Sequence, residues 1–438
     1  MTFSPPHTDA GDAGKNDRTR SPGKWLGIRE LAAILCMQLL FAFSFTLPSP
    51  VNGYYQHHKE HVADGLDEVF DQDSRLIIDS LVEDWHFLFN PQHHLLYHVA
   101  TEGIYKKVIR PRVHHAPETV YLFLKIFTVL TGAAFMIALS RVLWEMGLPP
   151  WPRILLLLLS AVSVTAWFNF SAFETHSLGM AAIALYTLVI LRMTVLRRFR
   201  LQEQILLGSS LAFLFLCRLD LVRFFAATAF LAVLPGYRPN WRRLTAVLAT
   251  ALLASSLLYL PLISKYFKVP VSDAPRVLFH REDSARLRKG LGTGNNLTKD
   301  NLYRMVLATA VSSVIMPTGP EKFREPLAGA STRPLFAVTL MIYAAMLVRM
   351  ALALWRDRKD SGAFVAGMLV NWAIGVGLYT WFNPGEPFLW LLEFLPLLVV
   401  LMGLWLKQGG RADWGLAGVG TALVLLNNIV YFYLPYRG

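Results

Sequence analysis

The chain has 438 residues, of which 54% are hydrophobic and 16% charged, and its mean hydropathy is +0.40. A soluble domain of this length would alternate apolar and charged residues more often, whereas here apolar runs recur at about 20 residues, the length that crosses a bilayer as a helix. The net charge of +12 lies largely in short loops between these runs, which indicates membrane orientation and argues against nucleic acid as a partner. We therefore predict an all-α polytopic membrane protein.

The apolar runs divide the chain into a short tail and one membrane domain. Residues 1–24 are rich in Pro, Gly, Asp, Ser and Lys, which predicts a disordered cytoplasmic tail, and residues 25–438 are predicted to form a single transmembrane domain. No secretory cleavage site follows the first run, Leu26–Leu47, so it is predicted to be a retained span. About eleven transmembrane helices are expected, near 26–47, 119–143, 152–169, 174–195, 204–219, 220–235, 244–263, 334–355, 362–382, 387–406 and 414–433.

Two long loops, at about 49–118 and 264–333, are predicted to lie outside the bilayer. In the first, the apolar residues of Ala63–Val82 recur at helical spacing, which predicts one or two amphipathic helices on the membrane surface. The second contains a weaker apolar run, Val306–Met316, which we interpret as re-entrant or surface-lying. Asn383–Pro387 forms a third, shorter turn.

Cations orient the chain because short loops on the cytoplasmic side are enriched in Lys and Arg. With the N-terminus in the cytoplasm and Val306–Met316 not crossing, the C-terminus is outside, and both long loops share the outer face of the cytoplasmic (inner) membrane. Four short basic loops then lie inside, at Arg192–Arg200, Pro235–Arg243, Arg356–Lys359 and Lys407–Arg411.

Two classes of protein are disfavoured by motifs. The sequence has no GxxxxGK[ST] loop and no nucleotide-binding βαβ pattern, so nothing indicates an ATP-driven machine. Cys36 and Cys217 lie in or beside apolar runs, so no disulfide framework is expected.

The first outer loop contains the densest set of ionisable residues, in Asp71–Tyr97. Asp73 and Asp84 are the candidate acid/base residues, because a carboxylate at the water–lipid boundary is partly desolvated and gains basicity. Asp79 and Glu83 fit better on the solvated face of a surface helix. An ordinary solvated loop is the alternative for the whole segment.

A second group of candidates follows Pro91. Asn90, His93 and His94 precede an apolar run that includes Tyr97, and imidazole and amide groups at a helix N-terminus can bind a phosphate or carboxylate. The same histidines could ligate a divalent metal or simply pack at the interface. No fixed metal-ligand spacing is present, so no metal ligand is assigned and a divalent metal is left open.

Further candidates interrupt apolar runs on the predicted outer side. Glu174 and His176 open a span, where they are costly unless they face a polar cavity. Arg218 and Asp220 form either a local ion pair at a tight turn or an anion site.

Four more ionisable residues lie in or beside the later outer segments. Arg276 and Arg281 are outer cations that fit a phosphate or pyrophosphate ligand, or a solvated surface. Glu386 adds acid in the last outer turn, and Glu393, if it lies within the membrane, needs a partner.

Three stretches of the chain resemble one superfamily. Asp73-Ser74 through Pro91 and Leu96-Tyr97 are similar to the first outer loop of polytopic GT-C glycosyltransferases, closest to bacterial relatives of protein O-mannosyltransferases. Trp167 with Glu174-Thr175-His176-Ser177-Leu178 resembles their "W…aEVYSL" motif, and Gly385–Pro396 resembles a late outer-loop motif. Arg75 and Leu76 replace the Gly and Glu of the family's acidic motif, which leaves the choice of base between Asp73 and Asp84 open.

The resemblance implies a membrane enzyme that moves a sugar from a polyprenyl-phosphate donor to a hydroxyl of a protein, lipid or glycan. Asp73 or Asp84 would be the base, and substrate contacts are expected from Asn90, His93, His94, Tyr97, Glu174, His176, Arg218, Arg276, Arg281 and Glu386. Membrane lipids are the surrounding partners. Two alternatives are a transporter or lipid flippase, which predicts inverted repeats and interrupted spans, and a metal-dependent membrane hydrolase or transferase.

Overall fold

The computed structural model describes residues 27–44, 81–82, 95–171, 176–231, 233–234, 241–278, 296–317, 327, 333–382 and 391–433. Within these ranges every regular element is helical and no strand occurs. In chain order the α-helices are α1 (Ile28–Ser44), α2 (Leu95–Ile104), α3 (Pro117–Glu145), α4 (Pro150–Val162), α5 (Val164–Ser171), α6 (Ser177–Thr194), α7 (Leu201–Cys217), α8 (Arg223–Leu231), α9 (Trp241–Phe267), α10 (Ala274–Leu278), α11 (Lys299–Leu307), α12 (Pro334–Arg356), α13 (Gly362–Phe382), α14 (Leu395–Gln408) and α15 (Arg411–Asn428).

Six of the described helices are long and apolar enough to cross a membrane, namely α3, α6, α9, α12, α13 and α15. Three shorter helices, α4, α7 and α14, are also apolar. This is the architecture of a helical membrane protein, because helices satisfy their own backbone hydrogen bonds in hydrocarbon. The finer count of eleven spans stays a prediction.

The first helix shows how the apolar surface is divided between neighbours and lipid. Ile34, Met37 and Phe41 of α1 are buried against the bundle, whereas Leu35 and Leu39 on the opposite side are 55% and 68% exposed. The helix packs on α3, α4 and α5. If α1 is a span, as the sequence predicts, this exposed apolar face would contact lipid tails.

Three of the predicted spans differ from the structure. In the run 387–406, residues 392–394 form a turn and the long helix begins only at Leu395. The run 152–169 is not one helix, because Ser163 is extended (φ −60°, ψ 140°) and separates α4 from α5. The run 220–235 contains a tight 3₁₀ turn, Leu219–Val222, followed by the nine-residue α8, which is only about 13 Å long. The turn forms where Arg218 and Asp220 bind each other, so the charged residues end α7 and start a new element.

The segment Val306–Met316 is largely buried within the bundle. It contains the end of α11 and a π-helical turn, Ala308–Ser312, and Val314, Ile315 and Met316 are fully buried. The segment lies against the break between α4 and α5, since Val164 N–H donates to the Val314 carbonyl at 3.2 Å.

Asparagine side chains at the end of α15 join these two interrupted elements. The Asn428 amide donates to the carbonyls of Val162 (2.7 Å) and Val314 (2.9 Å) and accepts from the N–H of Met316 (2.8 Å). Asn427 donates to the Met316 carbonyl at 2.9 Å. These bonds supply the partners that irregular backbone lacks, which is the condition for its presence inside a membrane protein.

At the other end of the bundle from the asparagine joint, where the basic loops lie, ion pairs join several helices. Glu145 of α3 binds Arg141 and Arg192. Glu30 of α1 binds Arg153 of α4 at 2.5 Å, and the Asp413 carboxylate of α15 accepts from Arg349 and from the indole of Trp405. These contacts join α1 to α4, α3 to α6, and α12 and α14 to α15.

The asparagine joint predicts a large loss of stability in Asn428→Leu. The substitution conserves size but leaves two carbonyls and one N–H buried without their amide partner, which we expect to cost about 2–4 kcal/mol. The measurement is thermal exposure of the buried Cys217 thiol to a reactive dye, in a Cys36→Ser background because Cys36 is exposed.

Thr421→Val is the matched control on the same helix. Among the described residues the Thr421 hydroxyl donates to the Ala417 carbonyl one turn earlier, a local bond whose loss should cost less than about 1 kcal/mol. Equal unfolding temperatures for the two variants would mean that the asparagine joint does not stabilise the interrupted helices.

Candidate functional site

Five helix ends meet at one place in the bundle: the starts of α6, α8 and α14 and the ends of α7 and α13. Polar side chains at or near these ends, most of them buried, contact one another and an asparagine in the middle of α13, and we call this set the charge network. Its members are His176, Arg218, Asp220, Arg223, Asn371, Tyr379 and Glu393.

Arg218 follows the last residue of α7 and is 3% exposed. Its guanidinium binds the Asp220 carboxylate with two parallel bonds, Nε to Oδ1 at 3.0 Å and Nη2 to Oδ2 at 2.8 Å. The remaining Nη1 lies 2.5 Å from Glu393 Oε1 and 2.6 Å from His176 Nδ1. The expected alternative of a local ion pair at a tight turn is therefore present, and it extends to α6 and α14.

Arg223, the first residue of α8, occupies the centre of the charge network. Its Nη2 donates to Glu393 Oε2 at 2.5 Å, its Nη1 to the Tyr379 hydroxyl at 2.6 Å, and its Nε to Asn371 Oδ1 at 3.1 Å. Gly375 makes room for this guanidinium, because a Cβ there would lie 2.9 Å from Arg223 Nη1. A larger residue at 375 would displace the arginine.

Tyr379 joins the two carboxylates. Its hydroxyl oxygen lies 2.5 Å from Asp220 Oδ2 and 2.6 Å from Glu393 Oε2. A phenol has a single proton to donate, so it donates to one carboxylate at a time while it accepts from Arg223. The four charged side chains form two cations and two anions and therefore cancel.

The contact with Arg218 fixes the tautomer of His176. A guanidinium can only donate, so Nδ1 of His176 accepts and the imidazole is neutral with its proton on Nε2. His176 is 8% exposed, and burial beside a cation disfavours a second proton. In this arrangement His176 is a hydrogen-bond donor through Nε2 rather than a base through Nδ1.

The chemical consequence is that the charge network is a support rather than a free anion site. Every nitrogen of Arg218 and Arg223 has a protein acceptor, and the formal charges balance. Glu393, expected to need a partner if buried, has two arginines. The charge network fixes the helix ends from which the neighbouring segments leave.

Two other sequence-predicted site residues are described. Tyr97 is 1% exposed and packs edge-on against Phe127, with ring centroids 5.6 Å apart, so it belongs to a packed cluster. Arg276 is exposed, and its guanidinium lies 3.8 Å from the Asp273 carboxylate. Neither contacts the charge network through any described bond. The predictions that lie outside the described residues are Asp73, Asp84, Asn90, His93, His94, Glu174, Arg281 and Glu386.

The described edges of the first loop are anchored to the bundle. His115 Nε2 donates to the Val82 carbonyl at 3.0 Å, so its Nδ1 accepts from the Tyr105 hydroxyl at 2.9 Å. Leu81 is buried with Tyr97 and Tyr105 against α3. Within α2, burial lowers the pKa of His98 to about 3, so this histidine is neutral at physiological pH.

Sequence reasoning missed part of the charge network. Arg223 follows the Arg218–Asp220 pair inside an apolar run, and that position was a signal that the run does not continue as a plain span. Asn371 and Tyr379 gave no signal, since both are ordinary residues of an apolar helix. Among the described residues no group of three His, Cys, Asp or Glu side chains is placed to hold a metal.

A double-mutant cycle tests the charge balance. Glu393→Gln leaves two buried guanidiniums opposite one carboxylate, and we expect a loss of about 3–5 kcal/mol. Adding Arg223→Gln restores neutrality, so the double variant should be more stable than the sum of the single losses by at least about 1 kcal/mol. Thermal exposure of the Cys217 thiol, in the Cys36→Ser background, is the measurement.

Arg349→Gln provides the matched control, because that arginine pairs with Asp413 but its side chain is 47% exposed. An exposed pair contributes about 1 kcal/mol or less. Strictly additive losses in the Glu393/Arg223 cycle would contradict a charge-balanced network.

Comparison of the chain with protein-family models, with curated proteins and with solved structures finds no match.

Proposed function

We propose that the chain is a membrane glycosyltransferase that moves a sugar from a polyprenyl-phosphate donor to an acceptor hydroxyl at the outer face of the cytoplasmic membrane. The observation that carries the proposal is the charge network, because segments with most of the candidate reactive residues begin or end beside it. Rigid support beneath a site is what holds reactive groups in a productive geometry.

The described flanks of four segments lie at this end of the bundle. Segment 83–94, with Asp84, His93 and His94, leads directly into Leu95, which packs beside Phe215 and Leu216 near the end of α7. Segment 172–175, with Glu174, leads into His176. Segment 383–390, with Glu386, leads into the turn that contains Glu393. Ala274 of α10, which precedes the segment with Arg281, is buried in the same cluster as Leu95.

In the proposed reaction, Asp73 or Asp84 removes the proton from the acceptor hydroxyl. The acceptor oxygen bonds to the anomeric carbon while the bond from that carbon to the lipid phosphate oxygen breaks, and the electron pair leaves with the phosphate. Arg281, His93 and His94 neutralise the departing phosphate. The charge network does not react but positions the segments that carry Asp84, Glu174 and Glu386.

A transporter or flippase is the second candidate, since interrupted helices line the substrate sites of many transporters. The break at Ser163 and the buried segment Val306–Met316 are interruptions of this kind. However, their backbone groups bond to each other and to Asn427 and Asn428. This bonding gives the interruptions a structural role and favours the transferase.

The test is transfer of radiolabel from polyprenyl-phosphate sugars into cell-envelope fractions. We expect transfer by the unmodified protein. One of the two variants, Asp73→Asn or Asp84→Asn, should transfer label at least 100-fold more slowly, because removal of a general base lowers the rate by about 10²–10⁴-fold. Asp360→Asn is the control, because Asp360 is exposed in the loop between α12 and α13.

The outcomes separate the two candidates. If both variants still transfer sugar, the protein is a glycosyltransferase but neither Asp73 nor Asp84 is its base. A protein that moves fluorescent or labelled lipid across a liposome bilayer, and transfers no sugar from any donor tried, would favour the flippase and overturn the proposal.

A further inference from the structure

One short segment between α2 and α3 combines exposed cations with exposed apolar side chains. It runs from Ile104 to Val113, through a π-helical turn (Tyr105–Ile109) and a 3₁₀ turn (Arg110–Arg112). We call it the boundary segment. It contains four cations in seven positions, Lys106, Lys107, Arg110 and Arg112.

The boundary segment adjoins a membrane-crossing helix. The candidate span of α3 begins at Glu118, five residues after Val113. Ile104 and Val108 lie one helical turn apart and are 38% and 46% exposed, and Val113 is 44% exposed. Apolar side chains that face outward beside the start of a span lie at the depth where headgroups meet acyl chains.

Contacts within the fold fix the backbone that carries these cations. Tyr105 is fully buried and its hydroxyl bonds His115, which fixes the turn that carries Lys107. The Arg112 guanidinium donates to the Val108 carbonyl at the end of the same turn. Lys106 lies 3.7 Å from Glu102, so that charge is partly compensated, whereas Lys107 and Arg112 are exposed.

We infer that the boundary segment binds the headgroup of an anionic phospholipid. Ile104 and Val108 contact the acyl chains, while Lys107 and Arg112 bind the phosphate above them. The charge supports an anionic rather than a zwitterionic headgroup, since four cations face two acids, Glu102 and Glu118, between residues 102 and 118. Lys and Arg near a membrane surface each favour anionic lipid by about five-fold.

The experiment measures lipid contact at this segment alone. A bimane fluorophore is attached at Val108→Cys in the Cys36→Ser background, where the remaining Cys217 is buried. The full-length protein is placed in nanodiscs of phosphatidylcholine that contain the same fraction of chain-brominated phosphatidylglycerol or chain-brominated phosphatidylcholine. From the quenching we obtain the apparent affinity of position 108 for each brominated lipid. We expect this affinity to be at least about five-fold higher for phosphatidylglycerol than for phosphatidylcholine.

In the Lys107→Gln/Arg112→Gln variant, the ratio of the two affinities, phosphatidylglycerol over phosphatidylcholine, should fall close to one. High salt should lower the ratio in the starting protein because exposed charges are screened. A label at Leu130→Cys, on the exposed face of α3 at 61% exposure, is the control, and its ratio should not change with the two substitutions. Lys107→Gln alone, which leaves the Arg112 contact with Val108 intact, should lower the ratio by a smaller factor.

Three results would overturn the inference. Equal quenching by the two lipids at position 108 would mean that only the acyl chains are bound. A ratio that both Lys107→Gln and the double variant leave unchanged would place the anion elsewhere. Absence of quenching by either lipid would place Val108 in water or beneath another partner. None of these results depends on whether the protein transfers sugars.

Discussion

The cost of burying Arg218 and Arg223 in a helical membrane protein is the constraint on which the arrangement of α6, α7, α8, α13 and α14 depends. An isolated buried charge loses far more hydration energy than packing returns. Here Asp220 and Glu393 cancel the two cations, and Tyr379 bonds to both carboxylates. Because the partners come from different helices, no one of these helix ends can move without breaking a bond to a buried charged group.

A different physical requirement governs the joint around Asn428. The groups to be satisfied there are peptide carbonyls and N–H groups at Val162, Val314 and Met316, which carry partial charges and need a partner that both donates and accepts. A neutral amide meets that need without any charge to compensate. Charge pairs therefore satisfy the buried charged side chains at the helix ends, and amides satisfy the unpaired backbone groups at the helix interruptions.

The sequence was sufficient for the features that depend on local pattern. Apolar runs predicted the long helices, and the run at 244–263 lies within α9, Trp241–Phe267. The adjacent Arg218 and Asp220 were recognisable as a pair, and Glu393 as a residue in need of partners. What could not be predicted depends on distant residues: Arg223 bonds Asn371 and Glu393, 148 and 170 positions away.

The break at Ser163 is a second feature that the local sequence does not predict. The surrounding sequence, Leu155–Ala166, has nine apolar residues in twelve and no charge, so local pattern predicts an uninterrupted span. The break exists because Val164 and Thr165 bond the backbone of Val314 and Ser313, and these partners lie in a segment that was itself ambiguous as sequence. Neither interruption is stable in isolation, so neither carries a signal of its own.

The two anchors of the first loop bear on where its reactive residues can act. Val82 is bound through His115 beside the start of α3, and Leu95 is packed between the ends of α7 and α9. The twelve residues between them therefore close a loop whose ends the bundle already fixes. Because the entropy cost of closing a loop grows only slowly with its length, these two anchors meet much of the cost of ordering the segment that carries Asp84, His93 and His94 in the proposed site. A base in this loop needs only local contacts to be positioned, which is why the proposed reaction assigns rigidity to the helix ends and chemistry to the segments that leave them.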